Sequence, residues 1–385
     1  MARMINTHVV ILKNFIPPFQ LSFLSELNER VGNLKILLST PMEPNRQWPV
    51  DWKNLDVSVQ KNLTLQRIWN HPSGFSDPLF IHLPYDTIGQ LIRLKPEVVI
   101  STELGVRSLL TFLYCRAINR KCRSILWINA SEHTEQGRGL VRNLLRCLLV
   151  PQADAILVNG NSGARYLQKL GAVSERIFLA PYTVPTDVFS KLSLQRPVDD
   201  VSRMLIVGQL IERKGIKPFL NSISEWARTH SERKIELSFI GDGPLRDFIG
   251  SQQFPSNLKS HMLGNIKYEN LPKIYATADL LAFPTLSDEW GVVVNEAMAA
   301  GLPVLGSLYS QAVEELVHDG ENGWTFRPDH ADELLQAIDQ ALSVTPERMA
   351  EMRVSARARA LTITPSKVVD QFLLAINFVL SKIKN

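Results

Sequence analysis

A chain of 385 residues with 45% hydrophobic and 21% charged side chains has the make-up of a soluble globular protein, too long for one core and better suited to two domains. A net charge of +4 is too small for a dedicated nucleic-acid binder, and three cysteines (Cys115, Cys122, Cys147) without metal-ligand spacing speak against a disulfide framework and fit a reducing compartment. After Met1-Ala2-Arg3-Met4 the apolar run 8–12 is too short for a signal-peptide core, and no run approaches the roughly 20 apolar residues of a membrane span.

In chain order, apolar runs at 8–12, 34–38, 97–100, 124–128, 155–158 and 177–180 predict buried parallel strands. Amphipathic segments at 21–31, 87–94, 108–117, 140–149 and 162–170 predict the helices between them. Residues 41–84, with several prolines and Trp48, Trp52 and Trp69, predict an irregular excursion holding one strand. A polar stretch from Val184-Pro185-Thr186-Asp187 to Pro197-Val198-Asp199-Asp200 predicts a linker. Strand–helix alternation then resumes at 204–208 and continues through 237–243, 262–266, 280–283 and 304–306, and a final helix spans 365–383. The fold class is α/β, two doubly wound domains in tandem. Ligands of such sheets bind at the C-terminal ends of the strands, so the chemistry is expected in a cleft between the domains.

The stretch from Phe283 to Val304 is the most informative. A helix bounded by Gly291 and by Gly301 and Pro303 is apolar except for Asn295 and Glu296, which predicts burial. A carboxylate there needs hydrogen-bond donors, a role that sugar hydroxyls would fill, and the N–H groups at the helix start suit a phosphate. Asp288 lies eight positions before Glu296, so both acids can face one cleft. Upstream, Gly208-Gln209 leads to Arg213-Lys214-Gly215, either cations for a phosphate or a solvated pair. Gly241-Asp242-Gly243-Pro244 suits close backbone approach to a ligand. Ile266, Lys267 and Tyr268, with 271–275, would wall a base pocket or simply pack. In the first half, Arg138, Arg142 and Arg146 form a stripe opposite Leu140, Val141, Leu144, Leu145 and Leu148. Such a helix either lies on anionic lipid or buries its leucines in the core with the arginines in water.

As an ordered set, Val-Gly-x-Leu with Arg-Lys-Gly, Ile-Gly-Asp-Gly-Pro, Ala278-Asp279, Phe-Pro-Thr, Glu-Ala-Met-Ala-Ala-Gly-Leu-Pro-Val and Asp-Gly-x-Asn-Gly resembles the retaining glycosyltransferases of family 4 (glycosyl transferases group 1), closely over residues 203–345. The resemblance implies a GT-B fold of two Rossmann-like domains facing a central cleft: 1–185 for the acceptor, completed by 365–385, and 200–362 for the donor. It implies transfer of a sugar from a nucleoside diphosphate, UDP or GDP, to an acceptor hydroxyl with retention, in cell-envelope or polysaccharide biosynthesis. Asp288, Glu296 and Lys214 are the catalytic candidates. Glu296 would bind the ribose, and Asp288, one methylene shorter than the family's glutamate, the donor sugar. Lys214 matches the diphosphate lysine. Gln209 stands where the family carries arginine, and Arg213 would replace part of that charge. Gly208, Gly241, Ile266, Trp290, Gly291, Val292 and Val293 complete the donor site. Pro18, Phe19, Glu103, Glu132 and His133 are expected on the acceptor side. Neither a cofactor nor a metal is expected, and the partners would be a nucleotide sugar and a glycan or lipid-linked acceptor, not nucleic acid. The location would be cytoplasmic, at the inner face of a membrane if the basic helix meets lipid. An inactive sugar-nucleotide-binding protein on the same scaffold is the alternative. A nicotinamide-dependent oxidoreductase is disfavoured, because no Gly-x-Gly-x-x-Gly follows the first strand or Ile206.

Overall fold

The computed structural model describes residues 5–46, 50–196 and 199–382. Met1 to Met4, Trp48, the Pro197-Val198 part of the expected linker and Ile383 at the end of the expected last helix lie outside them. The chain divides into one compact unit of residues 1–72, 77–184 and 365–385 and another of 73–76 and 185–364.

The first unit is built on a parallel seven-stranded sheet. Its strands are β1 (Ile5–Lys13), β2 (Val31–Leu38), β3 (Asp56–Val59), β6 (Val98–Thr102), β7 (Arg123–Ile128), β8 (Ala155–Val158) and β9 (Ile177–Leu179), in the order β3-β2-β1-β6-β7-β8-β9. Val9 to Leu12, Val98 to Ile100 and Ala155 to Val158 are enclosed, which is why they read as unbroken apolar runs rather than alternating ones. Helices α1 (Leu21–Arg30), α2 (Thr87–Leu94), α3 (Val106–Leu113), α4 (Leu140–Leu149) and α5 (Asn161–Lys169) connect them. Among its described residues the excursion 41–84 holds three strands where one was expected: β3, and a ribbon of β4 (Asn62–Asn70) and β5 (Ser76–Pro84). β4 is exposed along almost all its length, so no buried face imposes the alternation that marks a strand in sequence.

Helix α4 overturns one of its two expected readings, the burial of its leucines in the core. Its arginines, not its leucines, point inward. Arg146 is 3% exposed and bonds Glu135 and the Tyr166 hydroxyl, while Arg142 lies 3.5 Å from Glu135. A buried guanidinium is tolerated because a carboxylate and a phenol meet its donors. Of the apolar residues of α4, only Leu149 is buried, at the end that joins the core with Phe112, Leu126 and Ile156.

The second unit carries a parallel six-stranded sheet, order β12-β11-β10-β13-β14-β15. These are β10 (Val201–Val207), β11 (Lys234–Ile240), β12 (Leu258–Gly264), β13 (Leu280–Phe283), β14 (Val304–Ser307) and β15 (Gly323–Phe326). Its helices are α6 (Asp187–Ser190), α7 (Ile216–Thr229), α8 (Arg246–Gly250), α9 (Leu271–Tyr275), α10 (Val292–Ala299), α11 (Gln311–Leu316), α12 (Ala331–Leu342) and α13 (Pro346–Ala360). Phe219, Ile223 and Trp226 of α7 and Ile338 of α12 cover Leu237 and Phe239 of the sheet in one core. On its own element set, α10 packs on α13, β13 and β14. The expected linker is bound to this unit rather than free. Phe189 of α6 is enclosed, and Arg196 donates to the carbonyls of Ala278 (3.1 Å) and Ala300 (3.2 Å).

The last helix, α14 (Pro365–Ser381), returns to the first unit and packs on α1, β7, β8 and β9. Within residues 346–381 an 18-residue window reaches a mean hydropathy of 1.3, apolar enough for a membrane span, which the sequence reading had not found. The stretch is not one helix, since turns at 361–364 separate α13 from α14. Val368, Val369, Phe372, Ala375, Ile376 and Val379 of α14 are buried in the protein.

Candidate functional site

Because every strand pair of the second sheet is parallel, the ends of β10, β11, β12 and β13 lie on one edge, and the loops leaving them share that edge. Gly208 follows β10 and Gly241 follows β11. The Gly208 N–H donates to Ile240 O (2.9 Å) and the Gly241 N–H to Gly264 O (2.8 Å), so three strand ends are tied together. Gly241 has φ +127°, and a Cβ there would stand 1.9 Å from Gly208 O, so no larger residue fits. Gly215 has φ +66°, with Pro284 O 2.0 Å from the site of a Cβ. That contact seats the Arg213-Lys214 turn against the loop after β13, where the Leu286 N–H (2.8 Å) and Thr285 Oγ1 (3.1 Å) donate to Arg213 O.

The turn and the loop bring the predicted cations onto the predicted acid. Lys214 Nζ donates to Asp288 Oδ2 at 2.5 Å, and Arg213 Nη1 stands 3.9 Å from the same oxygen while donating to Ser287 O at 3.0 Å. Burial pushes the Asp288 carboxyl up, but Lys214 and Arg213 outweigh it and hold the group below the usual carboxylate range. Lys214 Nζ also lies 5.2 Å from the centre of the Phe283 ring. A shallow recess opens beside it, walled by Gly208, Gln209, Lys214 and Phe283. Arg213-Lys214 is therefore not merely a solvated pair.

Gly291 opens α10, with Val292 and Val293 half-buried at its first turn, where backbone N–H groups precede the helix's own hydrogen-bond ladder. Glu296, one turn on, is 4% exposed. The donors expected for its carboxylate come from the protein itself. Tyr275 of α9 donates its hydroxyl to Oε2 at 3.0 Å, and Tyr268 also bonds the group. Burial nevertheless wins and pushes Glu296 up to about 7. Phe189 packs edge-on against both tyrosines, with ring centres 5.9 and 5.4 Å away. Ile266, just past β12, is half-buried near this corner of the sheet edge.

Trp290 departs from its expected place. Its ring is 1% exposed and its indole N–H is held by Asn295 Oδ1 at 2.7 Å, so the side chain anchors the start of α10 instead of lining a pocket. The 288–291 loop is clamped from α11 and its cap. Gln311 Nε2 donates to Glu289 O at 2.6 Å, and the Ala312 N–H to Trp290 O at 3.0 Å. Sequence reasoning missed Ser310, whose hydroxyl donates to Trp290 O, as well as Gln311 and the role of the two tyrosines. Tyr268 and Tyr275 carried the one usable signal, as polar tips in a segment expected either to wall a base pocket or to pack.

In the first unit, Pro18 is exposed and Phe19 half-buried on a short turn after β1, with the Phe19 ring 5.3 Å from Tyr182. Glu103 follows β6 at φ +73°, and Arg107, wholly enclosed, pairs with it at 2.9 Å. Arg107 also bonds the Asn14 side chain, so the ends of β1 and β6 meet through a buried guanidinium that the sequence did not single out. Nearby Lys13 is 5% exposed and lies 4.0 Å over the Trp127 ring. Glu132 is turned onto α5 by Arg165 (2.9 Å) and Lys169 (2.6 Å). His133 accepts at its backbone oxygen from His71 at 2.9 Å. Glu103 therefore belongs to the strand-end cluster, whereas Glu132 serves a surface ion-pair network.

Residues 195–359 match the family model described as Glycosyl transferases group 1. An uncharacterized glycosyltransferase of Methanocaldococcus jannaschii is 28% identical over 40% of this chain, and the match spans only 40% of that protein's length. An uncharacterized glycosyltransferase of Haemophilus influenzae is 22% identical over 77% of this chain and 82% of its own. Among solved structures, Anabaena Alr3699/HepE in complex with UDP superposes with a TM-score of 0.70 at 14% identity, covering 96% of this chain and 99% of that one. At that identity the likeness is one of fold, and the fold is GT-B, with two Rossmann-like units.

Proposed function

We propose that this chain is a retaining glycosyltransferase that moves a sugar from a nucleoside diphosphate to an acceptor hydroxyl. The donor belongs to the unit of residues 185–364, and the acceptor to the other unit, beside Pro18, Phe19 and Glu103. The observation that carries the reading is the grouping of Lys214, Arg213, Asp288 and the start of α10 at one strand edge, with Glu296 on the same helix. The solved relative HepE binds UDP, which favours a uridine donor here over a guanosine one. Glu296 would accept from the ribose hydroxyls, in place of the tyrosine hydroxyls that now serve it. Lys214, Arg213, Gln209 and the N–H groups of Val292 and Val293 would face the diphosphate.

In the transfer, the donor C1–O bond to phosphate breaks and a C1–O bond to the acceptor forms on the same face. The acceptor's hydroxyl proton passes to the departing phosphate oxygen. The negative charge that grows on that oxygen is stabilised by fixed cations and helix N–H groups, which need no reorganisation as it develops. Asp288 keeps Lys214 extended toward the site and stands where a donor sugar would be read. The reading asks for neither cofactor nor metal. A cytoplasmic role in polysaccharide or cell-envelope synthesis fits free thiols such as the exposed Cys147.

Titration of the protein with UDP and GDP, followed by assay of UDP-sugar hydrolysis, tests the proposal. UDP should bind, Lys214→Ala and Glu296→Ala should each weaken binding by at least about tenfold, and slow donor hydrolysis should vanish in both. Binding without any turnover would favour the inactive binder, a reading that the uncharged Gln209 keeps specific. Unchanged binding in both variants would refute the site.

A further inference from the structure

The apolar face of α4 is turned to the outside. Leu140, Val141, Leu144 and Leu148 are 88%, 85%, 65% and 62% exposed, and Leu145 joins them. Five large apolar side chains on one short helix form a contiguous patch of a kind that soluble proteins keep for contacts. The inversion is built in rather than incidental, since Arg142 and Arg146 are held inward by Glu135 and Tyr166.

The rim of the patch is basic. Apart from the inward-facing Arg107, Arg142 and Arg146, residues 106–149 still hold Arg116, Arg120, Lys121, Arg123 and Arg138. Arg138 stands at the start of α4, its guanidinium 3.5 Å over the Trp69 ring. Arg116 donates to Gln152 O just past its end, and Arg120 and Lys121 lie exposed in the turn beyond. We infer that α4 is a docking face for an anionic lipid bilayer, its leucines entering the acyl boundary and its basic rim meeting lipid phosphates. A convex apolar ridge with a cationic border matches that surface. A second copy of this chain matches it poorly, because pairing α4 with itself would set like-charged rims together. The inference stands on the first unit alone and does not depend on the donor chemistry.

Flotation of the full chain with phosphatidylcholine vesicles, with and without phosphatidylglycerol, tests it. Wild type should float with the anionic vesicles at least about tenfold better than with the neutral ones, and added salt should weaken the binding. Leu144→Glu/Leu148→Glu changes only exposed positions, so its melting temperature and UDP binding should stay as in wild type while vesicle binding falls about tenfold or more. Leu374→Glu, at a 52% exposed leucine of α14, should float like wild type. Failure of wild type to float, equal binding to neutral vesicles, or unchanged binding of the double variant would overturn the inference. So would a wild-type dimer in light scattering that Leu144→Glu/Leu148→Glu dissolves, since the patch would then be an interface between copies.

Discussion

Lys214 and Asp288, 74 residues apart in sequence, form a nearly buried ion pair at 2.5 Å, their side chains 19% and 14% exposed. Two turns make that contact possible: Gly215 lets the cationic turn press on Pro284 O, and Arg213 O collects the Leu286 and Thr285 donors. The pair is a local neutralisation of charge at the point where a diphosphate is proposed to bind. A phosphate arriving there must share Lys214 with Asp288.

Removing one member of the pair should therefore cost more than removing both. Lys214→Ala leaves Asp288 with the more distant Arg213 and the Trp290 N–H, and should destabilise the protein by roughly 3 kcal/mol. The double variant Lys214→Ala/Asp288→Asn should recover most of that loss. Urea unfolding of the two variants beside wild type measures the difference, and equal losses would show that the pair is not coupled.

Asp288→Asn by itself frees Lys214 for phosphate. UDP should bind as well as in wild type or a few-fold tighter, while turnover of the UDP-sugar drops by at least about tenfold because the sugar loses its carboxylate. Calorimetric titration with UDP and a steady-state assay separate the two effects. A parallel loss of both would mean that Asp288 only shapes the loop.

Glu296 makes the pH response specific. Its carboxyl, ordinarily near 4.5, is raised to about 7 by burial, so the folded state holds a proton there that the unfolded chain releases earlier. The contribution of this group to stability is full below about pH 4.5 and is lost as pH rises toward 7. Glu296→Gln should thus gain about 2–3 kcal/mol relative to wild type between acid and alkaline buffer. If the ionised form holds the ribose, UDP affinity of wild type should rise across neutrality by more than that of Glu296→Gln, which serves as the reference for the titration of the nucleotide itself. Chemical denaturation and calorimetry at about pH 5 and about pH 8 read both quantities.

Tyr275→Phe deletes one of the two donors to Glu296 inside a closed environment. About 1 kcal/mol of stability should go with it, and the Glu296 midpoint should move further up, because the hydroxyl favours the charged form. The shift is visible as an alkaline displacement of the UDP-affinity profile.

Charge pairs of different burial should separate clearly. Arg146→Met leaves Glu135, whose side chain is 8% exposed, with Arg142 alone at 3.5 Å, and should cost about 3 kcal/mol. Lys234→Ala breaks a pair with Asp200 that is open to water on both sides, and should leave stability close to that of wild type. Thermal unfolding of the two variants compares them directly.

The amino-acid sequence determined the alternation of strand and helix, since strands of a covered parallel sheet are apolar throughout and stand out between amphipathic helices. It also determined that Glu296 is buried, because α10 offers almost nothing but Val, Ala and Met around it. The turns at Gly208, Gly215 and Gly241 were legible for the same local reason, that backbone of this shape excludes a side chain. Tertiary structure alone decided which partners those residues meet. Tyr268 and Tyr275 reach Glu296, and Lys214 reaches Asp288, only after separate strand ends are brought to one edge of the sheet. It also decided the direction of α4. Periodicity marks an apolar face and a basic face on that helix but carries no sign for which one faces inward. Glu135 and Tyr166 supply that sign by drawing the arginines into the protein and leaving the leucines outside.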